Sequence, residues 1–261
     1  ALFFAVHPLR VESVAWASER KGVLAGALWL AALLAHLKSM RAVSIAAYAL
    51  SLAAKPTGLT FPLVLLAADL ARRRRPDLKS LAPYFALTAG AFAATVWASR
   101  GAGPAAFRPQ GLVYGAGQAL YGLLFYPWKT LWPSGLAAYY PPRPWFGAWS
   151  WQLAACAAVV AAVCALLRSS RAAAGLAACY ALVLLPTLGL TSQGVPYAAA
   201  DRFSYLACLP FALPFGVLLS RSPARLALAA AWLAVLGTLS WRQTAVWRDP
   251  VSLWSETMRR A

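Results

Sequence analysis

The chain is 261 residues long, 61% hydrophobic and 12% charged, with a mean hydropathy of +0.61 and a formal net charge of +17. A soluble domain carries about a quarter charged residues, so this composition excludes an ordinary soluble domain and points to a protein embedded in a lipid bilayer. The basic excess would suggest nucleic acid in a soluble chain. Here it is what short loops between spans require, because Lys and Arg orient membrane helices, and no nucleic-acid partner is expected.

Residues 1–6 are apolar but too few to cross a bilayer, and neither an initiator Met nor a basic stretch precedes them. They read as the tail of a span whose beginning is missing, and the chain is expected to be a fragment. Residues 7–21, HPLRVESVAWASERK, follow. Pro8 suits a first helical position. On a helix Glu12, Trp16 and Glu19 share one face with Arg20 beside it. Such a face either holds a hydroxyl-bearing ligand near a carboxylate or lies in the membrane interface with Trp at headgroup level.

The apolar runs are 23–37, 42–53, 59–68, 81–98, 151–167, 172–190, 203–219 and 226–241. A span needs roughly 17–25 residues. The second and third runs fall short of that. They flank Lys55-Pro56-Thr57-Gly58, which predicts two helices joined by a tight turn. The Lys55 ammonium at the membrane face either meets a lipid phosphate or snorkels to the interface. Residues 99–150 form a long loop. Within it, 111–126 is either a further span or, as preferred here, an interfacial or re-entrant helix. Tyr126, Trp128, Lys129, Trp132, Tyr139, Tyr140 and Arg143 supply aromatics and cations to a sugar–phosphate groove or to an interfacial belt. Asp201 and Arg202 lie between two spans with no other charge nearby, as an ion pair or as part of a site. In the tail, 242–261, Asp249 and Pro250 read as a helix start, and Val251, Trp254 and Met258 form one apolar face. The cysteines Cys156, Cys164, Cys179 and Cys208 all lie in apolar runs without a CxxC pair, and read as buried small residues. No metal-ligand spacing, phosphate loop or nucleophile elbow occurs.

The short loops 38–41, 72–75, 168–171 and 221–225 are dense in Lys and Arg and fall on one side if helices alternate, which assigns them to the cytoplasm. The opposite, outer side receives 7–21, the Lys55 turn, 99–150, 191–202 and the tail. Five of the seven acids, Glu12, Glu19, Asp201, Asp249 and Glu256, are on that outer side.

The strings HPLRVESVAWASERKGVL (7–24), AKPTGLTFPLVLLAADL (54–70), YPWKTLWPSGLAAYYPP (126–142), AADRFSYLACLP (199–210) and VWRDPVSLWSETM (246–258) together resemble the membrane part of the transmembrane and TPR-containing O-mannosyltransferases, especially bacterial relatives. Their order runs through nearly the whole chain. The resemblance implies an all-α polytopic helix bundle of the GT-C glycosyltransferase type over 1–241, lacking its N-terminal spans, with 242–261 leading toward TPR repeats. It implies transfer of a sugar, mannose in this family, from a polyprenyl-phosphate donor to a protein hydroxyl. The active side would face the periplasm of a bacterial inner membrane. The partners would be the bilayer, the lipid-linked sugar and the acceptor protein; no cofactor is implied beyond the donor, though some GT-C enzymes use a divalent metal. The general base is expected in a loop upstream of Ala1. Lys55 and Arg202 would hold the leaving phosphate, with Asp201 beside them. Glu12 and Glu19 would orient hydroxyls, with His7, Arg20 and Lys129 as neighbours. The sequence departs from the family pattern at Arg10, where a second His is common, and at Gly22, where Asp is common. A non-catalytic anchor presenting TPR repeats is the alternative. A transporter fits less well, because no apolar run has an acid at its centre.

Overall fold

The computed structural model describes residues 1–99, 111–147, 149–188, 197–219 and 222–260. Residues 100–110 and 191–196, from two of the segments expected outside, and Arg221, from a basic loop, lie outside the described residues. Among the described residues the chain is helical without a strand; a single antiparallel bridge joins Tyr140 and Ala199.

In chain order the helices are α1 (Leu2–Ala5), α2 (Val11–Ala15), α3 (Arg20–Leu37), α4 (Arg41–Ala54), α5 (Phe61–Ala71), α6 (Leu78–Ser99) and α7 (Leu112–Leu131). There follow α8 (Trp151–Leu167), α9 (Arg171–Leu184), α10 (Ser204–Ala207), α11 (Leu209–Leu219), α12 (Pro223–Val246) and α13 (Pro250–Arg260). Single 3-10 turns precede α2, α3, α5 and α10. Among the described residues three helical segments are long and apolar enough to cross a membrane: Ala17–Leu37, Leu78–Ala98 and Pro223–Val246. The chain is an all-helical protein built for a bilayer.

Not every apolar run becomes one straight span. The run 203–219 is broken: α11 is bent by 62° from the turn and helix before it. Pro210 explains the break, since it has no N–H for the Leu206 carbonyl and its ring would crowd that carbonyl. The Lys55 turn is a single 3-10 turn, Pro56–Gly58, between α4 and α5. These two helices have 14 and 11 residues, short of the roughly 17–25 a span needs.

Small residues let α3 and α4 approach closely. Ser44 Oγ donates to the Ala32 carbonyl at 2.7 Å and Ser51 Oγ to the Ala25 carbonyl at 2.8 Å. Trp29, Tyr48, Phe61 and Tyr84 stack in the core of α3 to α6. A second aromatic core holds Phe125, Tyr126, Tyr140, Phe146 and Tyr180.

The bundle has two ends. At one, Arg41 Nη2 donates to the Lys79 and Ser80 carbonyls at the start of α6, which brings the basic loop 38–41 close to the residues that follow the loop 72–75. Gly175, one turn into α9, packs on Ala71 at the end of α5, which brings the third beside them. At the other end, called the rim below, residues 7–21 meet the Lys55 turn, the Asp201 turn and the start of the tail.

The helix expected over 111–126 extends to Leu131. Gln118 Nε2 donates to the Tyr197 carbonyl, Tyr126 Oη to the Ala200 carbonyl, and the Thr130 carbonyl faces His7. Rim segments therefore touch α7 from Gln118 to Thr130.

Candidate functional site

Residues 7–19 build the rim. His7 caps the first turn by accepting from Leu9 N at 3.2 Å, and Pro8 occupies the first position of that turn. The chain then breaks at Trp16, which is extended at ψ 112°. Glu12, Trp16 and Glu19 therefore do not lie on one continuous helix face, as the spacing had predicted. The break has a consequence: it points the two carboxylates at two different cations.

Glu12 pairs with Arg202. Its Oε1 accepts from Arg202 Nη1 at 2.7 Å and its Oε2 from the Arg202 backbone N–H at 2.8 Å. The Glu12 side chain is 1% exposed and that of Arg202 18%. Burial pushes the Glu12 carboxyl above the ordinary carboxylate range, and the Arg202 charge opposes that rise. The guanidinium lies over the rings of Trp16, Tyr197 and Phe203 at 4.9–5.7 Å, which adds cation–π attraction.

Glu19 pairs with Lys55. The ammonium donates to Oε1 at 2.9 Å and Oε2 at 2.7 Å. Gly22 makes room for this pair, since a Cβ there would stand 2.6 Å from Glu19 Oε2. A side chain at this position would displace the carboxylate from its place against α3.

Other expected residues sit elsewhere. Asp201 does not pair with its neighbour Arg202. It points inward, where its Oδ1 accepts from Tyr140 Oη at 2.9 Å, and Tyr140 Oη in turn accepts from Ala137 N. Asp201 thus fastens the 137–140 loop to the rim and lines neither cleft described below. Burial and the Asp201 charge push the Tyr140 phenol up. His7 donates from Nε2 to the Thr130 carbonyl at 3.0 Å while Nδ1 accepts from Leu9. Both ring nitrogens are engaged, and burial lowers its pKa to about 4; it is a neutral packing residue. Arg20 is exposed at the start of α3. Lys129 turns to the Ser134 carbonyl and the Phe125 ring. Arg10 is buried against the Phe4 ring, and Nε and Nη1 have no hydrogen-bond partner.

Two clefts flank Arg202. The first is lined by Ser13, Glu19, Gly22, Lys55, Thr57 and Arg202 among others. The second, about 440 Å³, is lined by Glu12, Trp16, Arg202, Trp247, Arg248 and Trp254 among others. Sequence reasoning passed over Ser13, a small hydroxyl between Glu12 and Val14 that only its burial without a partner marks. Tyr140, read from sequence as part of a groove or belt, instead donates to Asp201. No three His, Cys, Asp or Glu side chains gather as a metal-ligand set among the described residues. No family model, curated protein or solved structure matches the chain.

Proposed function

We propose that this chain is the membrane region of a GT-C-type glycosyltransferase. It transfers a sugar, mannose by the resemblance, from a polyprenyl-phosphate donor to a protein hydroxyl at the periplasmic face of a bacterial inner membrane. The observation that carries this reading is Arg202, whose side chain lines two clefts at once. A group transfer brings an acceptor and a donor to one reacting centre, and a cation shared by both clefts can meet the charge that develops on the donor's leaving phosphate there.

In this reading Lys55 and Arg202 take up the charge that develops on the leaving phosphate, an electrostatic contribution that dominates many transfers. Their carboxylate partners hold them in place before the donor arrives. The Trp-lined cleft receives the acceptor. The residues at the rim supply binding and charge, and the removal of the acceptor proton is assigned to none of them.

The test uses the protein in lipid nanodiscs with a radiolabelled mannosyl polyprenyl phosphate and a Ser/Thr-rich peptide. Transfer that is lost in Lys55→Ala and Arg202→Ala, with both variants still folded at the assay temperature, supports the reading. Unchanged turnover in both variants removes it. The matching of each cation with a carboxylate favours a second reading, an anchor that presents TPR repeats. Under that reading the two variants leave function intact while deletion of the tail abolishes it.

A further inference from the structure

We infer that Ser13 is a phosphate-binding residue, whose hydroxyl donates to a non-bridging oxygen of a phosphodiester seated between Lys55 and Arg202. This deepens the proposed transfer site and rests on that reading for the biological source of the phosphate. The contact itself is tested without any transfer.

Ser13 is 3% exposed, and its Oγ has no hydrogen-bond partner. A buried hydroxyl left unpaired is costly, so its place beside a cleft needs an account. It lines the first cleft together with Glu19, Lys55 and Arg202. Both oxygens of Glu12 and both oxygens of Glu19 are already engaged by Arg202 and Lys55. An ammonium has three N–H groups and a guanidinium five, so both cations retain donors after these contacts. The cleft therefore keeps spare donors on the ammonium, the guanidinium and the Ser13 hydroxyl. A ligand that takes up all three carries several acceptors.

Charge narrows the class. Lys55 and Arg202 are balanced by Glu12 and Glu19, so the cleft is formally neutral. A monoanionic diester adds one negative charge beside Glu19 where a dianionic monoester adds two, so the diester is the less strongly opposed of the two. Size agrees. The cleft's open volume is about 40 Å³, where about 10–15 Å³ holds one water. It admits an oxygen or two of a phosphate group, while the remainder of the ligand stays at the mouth.

The experiment measures binding by isothermal titration to the whole chain in a phosphate-free maltoside detergent. Three probes are used: dimethyl phosphate, phosphatidylglycerol in the same micelles, and inorganic phosphate at pH 8. A diester is expected to bind, with inorganic phosphate weaker. Ser13→Ala should weaken the diester about tenfold or more, the loss of one hydrogen bond to a charged group, and Ser13→Thr should restore most of it. Binding of dimethyl phosphate assigns a soluble diester as sufficient; binding of phosphatidylglycerol alone assigns a lipid headgroup. The inference fails if neither diester binds, or if Ser13→Ala binds as tightly as the wild type while melting at the same temperature. Lys55→Gln gives an independent check, since it should weaken the same probe. If diester binding follows Ser13 while transfer is unchanged in Lys55→Ala and Arg202→Ala, the glycosyl reading falls and this one stands.

Discussion

Converting Glu12 to glutamine removes the countercharge that holds Arg202 at the rim. The wild-type carboxylate accepts from Nη1 at 2.7 Å and from the backbone N–H at 2.8 Å. Glutamine keeps the shape, but its amide can offer only one oxygen to those two donors. The Arg202 side chain, 18% exposed, is then left charged without a partner. Removing one member of a buried pair costs about 3–5 kcal/mol. Arg202 retains three aromatic faces and some water, which places the loss near the lower end, about 3 kcal/mol. For a protein of this size that lowers Tm by roughly 6–12 °C. The assay is thermal unfolding in detergent, run as a double-mutant cycle with Arg202→Met. The double variant should melt above Glu12→Gln, because it leaves no unpaired buried charge. If Glu12→Gln melts within about 2 °C of the wild type, and the cycle shows no coupling, the pair does not hold the rim and the electrostatic reasoning is wrong.

Three further outcomes are expected. Gly58→Ala places a Cβ 2.6 Å from Trp29 Cδ1, a buried ring already packed against Phe61, so it should destabilise by about 1–3 kcal/mol in the same melt. His7 titrates at about 4 in the folded chain against an ordinary 6.5. The unfolded chain binds the proton first, so stability is full above pH 6.5 and falls by about 3 kcal/mol as pH drops through 4; His7→Gln should flatten that slope in melts between pH 4 and 7. Asp249→Ala removes the carboxylate that accepts from Val251 and Ser252 N–H, and hydrogen exchange at those two amides should speed up while the amides of α12 keep theirs.

The helices were legible because hydrophobic runs and local caps are written in neighbouring residues. The Pro56 turn and the Asp249-Pro250 helix start all sit where their sequence signals are. The pairings were not legible. Glu12 and Arg202 are 190 residues apart and Glu19 and Lys55 are 36 apart, and spacing carries no information over such separations. The adjacent pair Asp201 and Arg202 misled for a related reason. In a tight 3-10 turn successive side chains point about 120° apart, so one goes inward to Tyr140 and the other outward to Glu12. The bend at Pro210 had a local signal, but the unbroken hydrophobicity of the run masked it.

These separations bear on how the rim works. The break at Trp16 lets one short segment supply a carboxylate to each of two cations, one from the α4–α5 turn and one from the turn before α10. A straight helix over the same residues would carry Glu12 and Glu19 at i and i+7, stacked on one face, and could not reach both turns from there. The segment therefore acts as a bracket: moving it displaces Lys55 and Arg202 together. A ligand that bridges the two cations would tighten the same bracket from the other side, so its binding and the stability of residues 7–19 must be linked, each raising the other by the same free energy. That linkage is absent if the segment merely lies in the interface with solvated charges, and hydrogen exchange of the 7–19 amides with and without dimethyl phosphate separates the two cases.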